Sequence, residues 1–297
     1  MKKETLKRIF QFLEAKENKS PIEKGTLMWK LSFNEPLTEK DLNVEGDLYL
    51  EDKNIPSLPN NLKVAGDLRL TGSRITSLPN NLKVGGDLRL TGSRITSLPK
   101  NLKVGRDLDL SETKITLLPE VLEVGRNLFL SKTKITSLPK GLKVGGDLVL
   151  DETKITSLPE GLEVGGSLSL VGLAITSLPK SLKVDGSIYL RGSKITSLPE
   201  GFKVGGHLGL DGAKITSLPE GLYVGGTLYL PNNITHLPKD LYVGGDLVLA
   251  WTNITSLPKG LEVGKILYIK NSPLTKYTDQ ELREMVKPGF IREKIVR

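Results

Sequence analysis

Chemistry in this chain has to come from carboxylates, amines, hydroxyls and two imidazoles, because its 297 residues include no cysteine. That absence excludes a disulfide scaffold, a thiolate zinc site and a cysteine nucleophile. His207 and His236 fall at different points of the repeat described below. Neither has the serine and aspartate context of a hydrolytic triad. Asp47, Asp67, Asp87, Asp107 and Asp147 recur at multiples of the same interval, and such a ladder of carboxylates invites calcium. The calcium-binding β-roll, however, repeats G-G-x-G-x-D over about nine residues. Arg69 and Arg89 also stand two residues from Asp67 and Asp87 and compete for the same oxygens. The Gly-Gly pairs precede strand-like rather than helical segments, so they are not phosphate loops. The residues therefore assign no metal, no cofactor, no small-molecule substrate and no catalytic group, and the expectation is a protein that is not an enzyme.

Cations form columns. Arg74, Arg94, Lys114, Lys134, Lys154, Lys194 and Lys214 recur in one register, and Lys63, Lys83, Lys103, Lys143, Lys183 and Lys203 in another, the second interrupted by Glu123 and Glu163. Like charges stacked one above another repel. Such stripes serve either an anionic partner or a solvated face that keeps an array soluble. The net charge of +8 is spread along the chain, whereas nucleic-acid binders concentrate it on one face.

These columns exist because the chain repeats. Gly66–Gly85 and Gly86–Gly105 differ only where Asn80 becomes Lys100. The leucine of "LP" returns at Leu58 and every twenty residues to Leu218, then at Leu237, one residue early, and at Leu257. A fixed period of this length predicts a solenoid. Each unit carries six apolar positions, in one copy Val144, Leu148, Leu150, Ile155, Leu158 and Leu162. Leu148 and Leu150 flanking Val149 is strand alternation. Gly145–Gly146 reads as a tight corner needing positive φ. The proline of "LP" favours an extended return. Each copy is then one coil, unable to close a core until others stack on it.

The order L-x-L-x-x-T-x-I-x-x-L-P-x-x-L resembles the leucine-rich repeat, specifically the short bacterial and phage class found in secreted effectors. The resemblance implies a mostly β solenoid of about twelve coils of 20 residues, with one parallel sheet face that binds proteins. The family's asparagine ladder is replaced by hydroxyls at Ser73, Ser93, Thr113, Thr133, Thr153, Ser193 and Thr252. Val144 also lies four positions before Leu148 where the family has three, which leaves a flatter β-solenoid open.

Solenoid ends need caps. Leu6, Ile9, Phe10 and Leu13 have helical spacing, and Ile22–Phe33 reads as a connector. "TDQELREMVKPG" opens with a capping-box spacing, Thr278 to Glu281, with Leu282, Met285 and Val286 facing inward. The expected organisation is 1–43 as a helical cap and connector, 44–275 as the solenoid, and 276–297 as a cap helix and tail.

On the sheet face the outward residue between the strand leucines turns aromatic toward the end of the array. Tyr189, Arg191, His207, Tyr229, Trp251 and Tyr268 form the expected partner-binding zone, since aromatic residues and arginine dominate interaction hot spots. The expected function is a protein-binding scaffold, with the family likeness implying an effector or inhibitor acting on a host protein. Two alternatives stand beside it: polyanion or nucleic-acid binding through the cationic stripes, and a structural role as a virion or surface component. The N-terminus reads as no secretory signal peptide and no segment as a membrane span. The expected location is cytoplasmic, or a host reached by a signal the residues do not spell.

Overall fold

The computed structural model describes residues 26–51, 55 and 57–297. The expected N-terminal helix over Leu6–Leu13 lies outside them. Each coil contains two two-residue strands separated by the glycine corner, rather than the single strand expected. The first of each pair runs from β1 (Asn43–Val44) through β3 (Lys63–Val64) and β11 (Lys143–Val144) to β15 (Lys183–Val184), making an eight-stranded parallel sheet. The second runs from β2 (Leu48–Tyr49) through β12 (Leu148–Val149) to β24 (Leu267–Tyr268) in a thirteen-stranded sheet. Partners are one repeat apart: Leu148 pairs with Leu128 and Leu168. The architecture is a leucine-rich-repeat solenoid with a sheet on each side of the corner.

The six apolar positions fill its interior. Val144, Leu148, Leu150, Ile155, Leu158 and Leu162 are all buried, and the same columns continue along the array as one core. Each full leucine removed from water contributes roughly 2 kcal/mol, a gain that exists only when a neighbouring coil covers it.

The corner glycines are needed for closeness, not for handedness. None of Gly85, Gly105 or Gly145 has positive φ. A Cβ on Gly105 would lie 2.0 Å from the Gly85 carbonyl oxygen. Positive φ belongs instead to the turns: Gly92 and Glu112 after the second strand, Asn81 and Gly141 after "LP".

The first-strand pairing lapses once. Lys183–Val184 and β17 (Lys203–Val204) belong to different sheets, the latter opening a five-stranded sheet. Two departures from the repeat sit there, and both need room: Asp185 at the glycine corner and Phe202 in a leucine position. Leu182 and Val184 are correspondingly only half-buried. The 19-residue coil breaks neither sheet, since Leu228 pairs with Leu247 and Tyr223 with Tyr242. Its lost residue comes out of the turn between Leu230 and Ile234.

At the N-terminal end the expected connector contains a helix, α1 (Leu27–Phe33), capped by the Thr26 hydroxyl and anchored by buried Trp29. At the other end α2 (Asp279–Val286) starts with the capping box at Thr278 and Glu281 and buries Leu282 and Val286. Met285 is half-buried against the core. The residues after α2 are not a loose tail: β25 (Phe290–Ile291) is the last strand of the five-stranded sheet and β26 (Ile295–Val296) the last of the thirteen-stranded one. No helix among the described residues is long and apolar enough to cross a membrane.

Candidate functional site

The aspartate column is a structural ladder. It stands at the corner just before the second strand, where one side-chain acceptor per coil takes the backbone N–H of the equivalent residue in the next. The Asp87 N–H donates to Asp67 Oδ1 at 2.9 Å, the Asp147 N–H to Asn127 at 2.7 Å, and the Ser187 N–H to Ser167 Oγ at 3.1 Å. His207 is a rung too: its Nδ1 accepts the Thr227 N–H at 2.8 Å. That geometry requires the Nε2–H tautomer. The rungs continue through Thr227 to Asp246, which accepts from Ile266 at 3.1 Å. Each satisfies a backbone donor that a buried corner would otherwise orphan.

The expected hydroxyl ladder does not form in its place. Thr113 and Thr252 donate to the carbonyls of Leu110 and Leu249 within their own turns. The buried hydroxyls of Ser73, Ser93, Thr133, Thr153 and Ser193 have no hydrogen-bond partner. The difference lies in reach, since a hydroxyl is shorter than an asparagine amide and the bonds that do form stay within one turn.

The carboxylates carry arginines, as their spacing predicts, with two more that the spacing did not reveal, Arg106 and Arg126, the latter 3.8 Å from Asp107. Arg89 lies 3.1 Å from Asp87 and Arg69 3.5 Å from Asp67. Arg106, at a corner position, reaches back over two coils to Asp67 at 2.6 Å and Asp87 at 3.3 Å. No group of three or more histidine, aspartate or glutamate side chains among the described residues has a metal-holding arrangement. The Asp87 amide above all, then Arg106 and Arg69, holds the Asp67 carboxyl below its ordinary value. Tyr49 and the Asp67 amide do the same for Asp47. A depressed carboxyl stabilises the fold above its unfolded pKa and loses that contribution as pH falls through the folded one. The melting temperature should therefore hold from neutrality down to about pH 5 and drop below about pH 4. Asp67→Asn keeps the accepting oxygen, as Asn127 does, and should flatten that drop in thermal scans followed by circular dichroism.

The six residues expected to form one aromatic zone occupy four columns, since Arg191 aligns with Ala250 and Trp251 with Gly192. Tyr189, Tyr229 and Tyr268 point outward from the thirteen-stranded sheet, in register with Gly209 and Val248 between them. Tyr189 and Tyr229 are exposed, and the Tyr189 ring lies over Gly209, where a Cβ would meet it at 3.4 Å. Tyr268 is half-buried. His207 is exposed at the corner, within the ladder. Arg191 and Trp251 lie in the turns that follow the sheet. Trp251 is 67 % exposed and has φ 65°. Its amide donates to the Lys270 carbonyl at 3.0 Å, as the Gly92 amide at the same turn position does to Ser111. The shortened turn, with Asn232 and Asn233, belongs to the preceding coil.

The stripe from Arg74 to Lys214 is exposed throughout, and none of its seven residues forms an ion pair among the described residues. The second lysine register is partly neutralised: Lys103 lies 2.7 Å from Glu123 and Lys143 2.9 Å from Glu163. Toward the C-terminus that register becomes aromatic, a feature the sequence reading missed. Tyr223 and Tyr242 stack with centroids 4.7 Å apart and planes 2° from parallel.

No protein-family model matches the chain, and no curated protein matches it by sequence. Among solved structures it is similar to YopM from Yersinia enterocolitica WA-314, at 16% identity over 92% of this chain and 69% of that one, with a TM-score of 0.47. It is also similar to a Leptospira interrogans LRR protein, at 20% identity over 88% of this chain and 92% of that one, with a TM-score of 0.43.

Proposed function

We propose that the chain is a recognition scaffold without catalytic activity, and that its C-terminal third captures a protein partner. Trp251 carries this reading. A left-handed backbone conformation costs an ordinary residue roughly 1–2 kcal/mol. Gly92, Gly172 and Gly212 avoid that penalty at this turn position, Glu112, Lys132 and Glu152 accept it with charged side chains, and Trp251 accepts it with a large apolar ring. The indole returns little of it to the core, being 67 % exposed. Strained, exposed aromatic side chains concentrate at binding sites. Tyr189, Tyr229 and Tyr268, spaced by small residues, extend the surface from that edge onto the sheet. The finer form, an effector or inhibitor acting on a host protein, rests on the resemblance of the repeat alone.

Trp251→Gly tests the reading, because it removes the anchor and relieves the backbone together. Stability should stay level or rise by up to about 1 kcal/mol. Affinity for the partner recovered by capture from native lysate should fall about thirtyfold or more, the loss of a hot spot. A variant that retains the same partner at the same affinity removes Trp251 and its neighbours from the site.

A further inference from the structure

We infer that the outer face of the eight-stranded sheet, from Asn61 to Lys143, is a second docking site, and that it takes an acidic polypeptide segment bearing an apolar anchor side chain. Three concavities adjoin along this strip. One of about 730 Å³ and one of about 360 Å³ share Lys83 and Lys103. The latter shares Asn81, Leu82 and Asn101 with a third of about 600 Å³. The tyrosine face described above lies on the other sheet, so this groove is independent of it.

The strip has an apolar centre that the fold does not need. Val121 lines the concavity of about 730 Å³ and is 55 % exposed; Leu117, four residues earlier and outside the lining of all three, is 63 % exposed. Other coils place asparagine, glycine, serine or aspartate at the Val121 position, and serine or histidine at the Leu117 position. Two large apolar residues in one coil, both facing water, carry a solvation cost with no return from the core.

The charge around that centre selects the partner. Lys63, Lys83, Lys100, Lys103, Lys140 and Lys143 line the strip against Glu120 and Glu123. Lys103 and Glu123 engage each other and Lys143 engages Glu163, which leaves Lys63, Lys83, Lys100 and Lys140 against Glu120. On the wall nearest the N-terminus, Asn81 Nδ2 donates to Asn61 Oδ1 at 2.9 Å. The outer amide groups of that pair are left to meet a polypeptide backbone. A phosphate backbone fits less well: no aromatic side chain lines the strip for base stacking. Glu120 and an apolar floor also oppose a polyanion with no greasy part.

The test is selection of short random peptides displayed on phage against the full chain, followed by titration of the winners as synthetic peptides and of a dT oligonucleotide. Enriched peptides should carry acidic residues around one aliphatic or aromatic residue. Val121→Gly with Leu117→Ser, which install residues other coils carry, should weaken them about tenfold without lowering the melting temperature. Lys83→Ala with Lys140→Ala should weaken them about fivefold and flatten their salt dependence. Trp251→Gly should leave them unchanged, so the two sites stand or fall separately. Absence of acidic-apolar winners, winners indifferent to Val121→Gly, or tighter binding of the oligonucleotide would each overturn the assignment.

Discussion

Gly105→Ala is expected to destabilise the array by about 3 kcal/mol or more, although it adds one methyl group at a position with ordinary φ. The added Cβ would stand 2.0 Å from the Gly85 carbonyl oxygen and 2.8 Å from its carbon, both backbone atoms that cannot swing aside. Relief requires parting two coils. That stretches the bond from the Gly105 N–H to the Val84 carbonyl, now 2.9 Å, and loosens the leucine columns beneath it. Side chains do occur at this corner position at Ala65 and Asp185. Ala65 stands against the first coil, and Asp185 is the last corner before the first sheet lapses on its C-terminal side, whereas Gly105 has paired coils on both sides. Gly92→Ala is the control, since Gly92 has φ 64° and open space where a Cβ would point. It should cost only roughly 1–2 kcal/mol, because Glu112 and Lys132 already hold the equivalent conformation. Equal urea midpoints for the two variants would show that coil spacing is softer than the stacking geometry demands.

Leu128→Ala should cost about 3–5 kcal/mol. Leu128 is fully buried and lies between Leu108 and Leu148 in the second sheet. The cavity cannot collapse, because the coils on both sides are held in register by backbone bonds: the Leu128 N–H to Asp147 at 2.8 Å and the Leu108 N–H to Asn127 at 2.9 Å. In a one-dimensional array the loss falls on one interface rather than on the whole. Unfolding in urea should then separate into two transitions, with amide exchange accelerating first around 110–150. Leu182→Ala, at an already half-buried place beside the lapse in the first sheet, should cost less and leave a single transition. A single cooperative transition for Leu128→Ala would argue for coupling longer in range than neighbour contact.

The solenoid was legible because every apolar position is written again each coil, so Leu148 could be read from Leu128 and Leu168. Positions that act singly were harder. The first strand is two residues, lysine out and valine in, too short to show alternation, and it passes for part of the corner. The acceptor ladder was expected at the hydroxyls after the second strand, where the resembling repeats keep asparagine; here its rungs precede that strand. Arg106 looks like a loop residue until the coils stack, since Asp67 is 39 positions away. Trp251 and Arg191 share a neighbourhood with the tyrosines in sequence, yet the turn carries them off the sheet. Leu117 and Val121 were visible as breaks in the copying and were passed over. The groove that gives Val121 meaning depends on the path of the first sheet, which no single coil encodes.

The lapse between Lys183–Val184 and Lys203–Val204 has a mechanical consequence. On the far side of the corner the thirteen-stranded ribbon runs past it unbroken. The molecule is therefore a beam with a continuous flange on one side and a notch in the other. Under load such a beam should open first at the notch, so the coils from Lys203 onward, which carry Tyr229 and Tyr268 but not Tyr189, should nod in one plane while staying stiff in the perpendicular one.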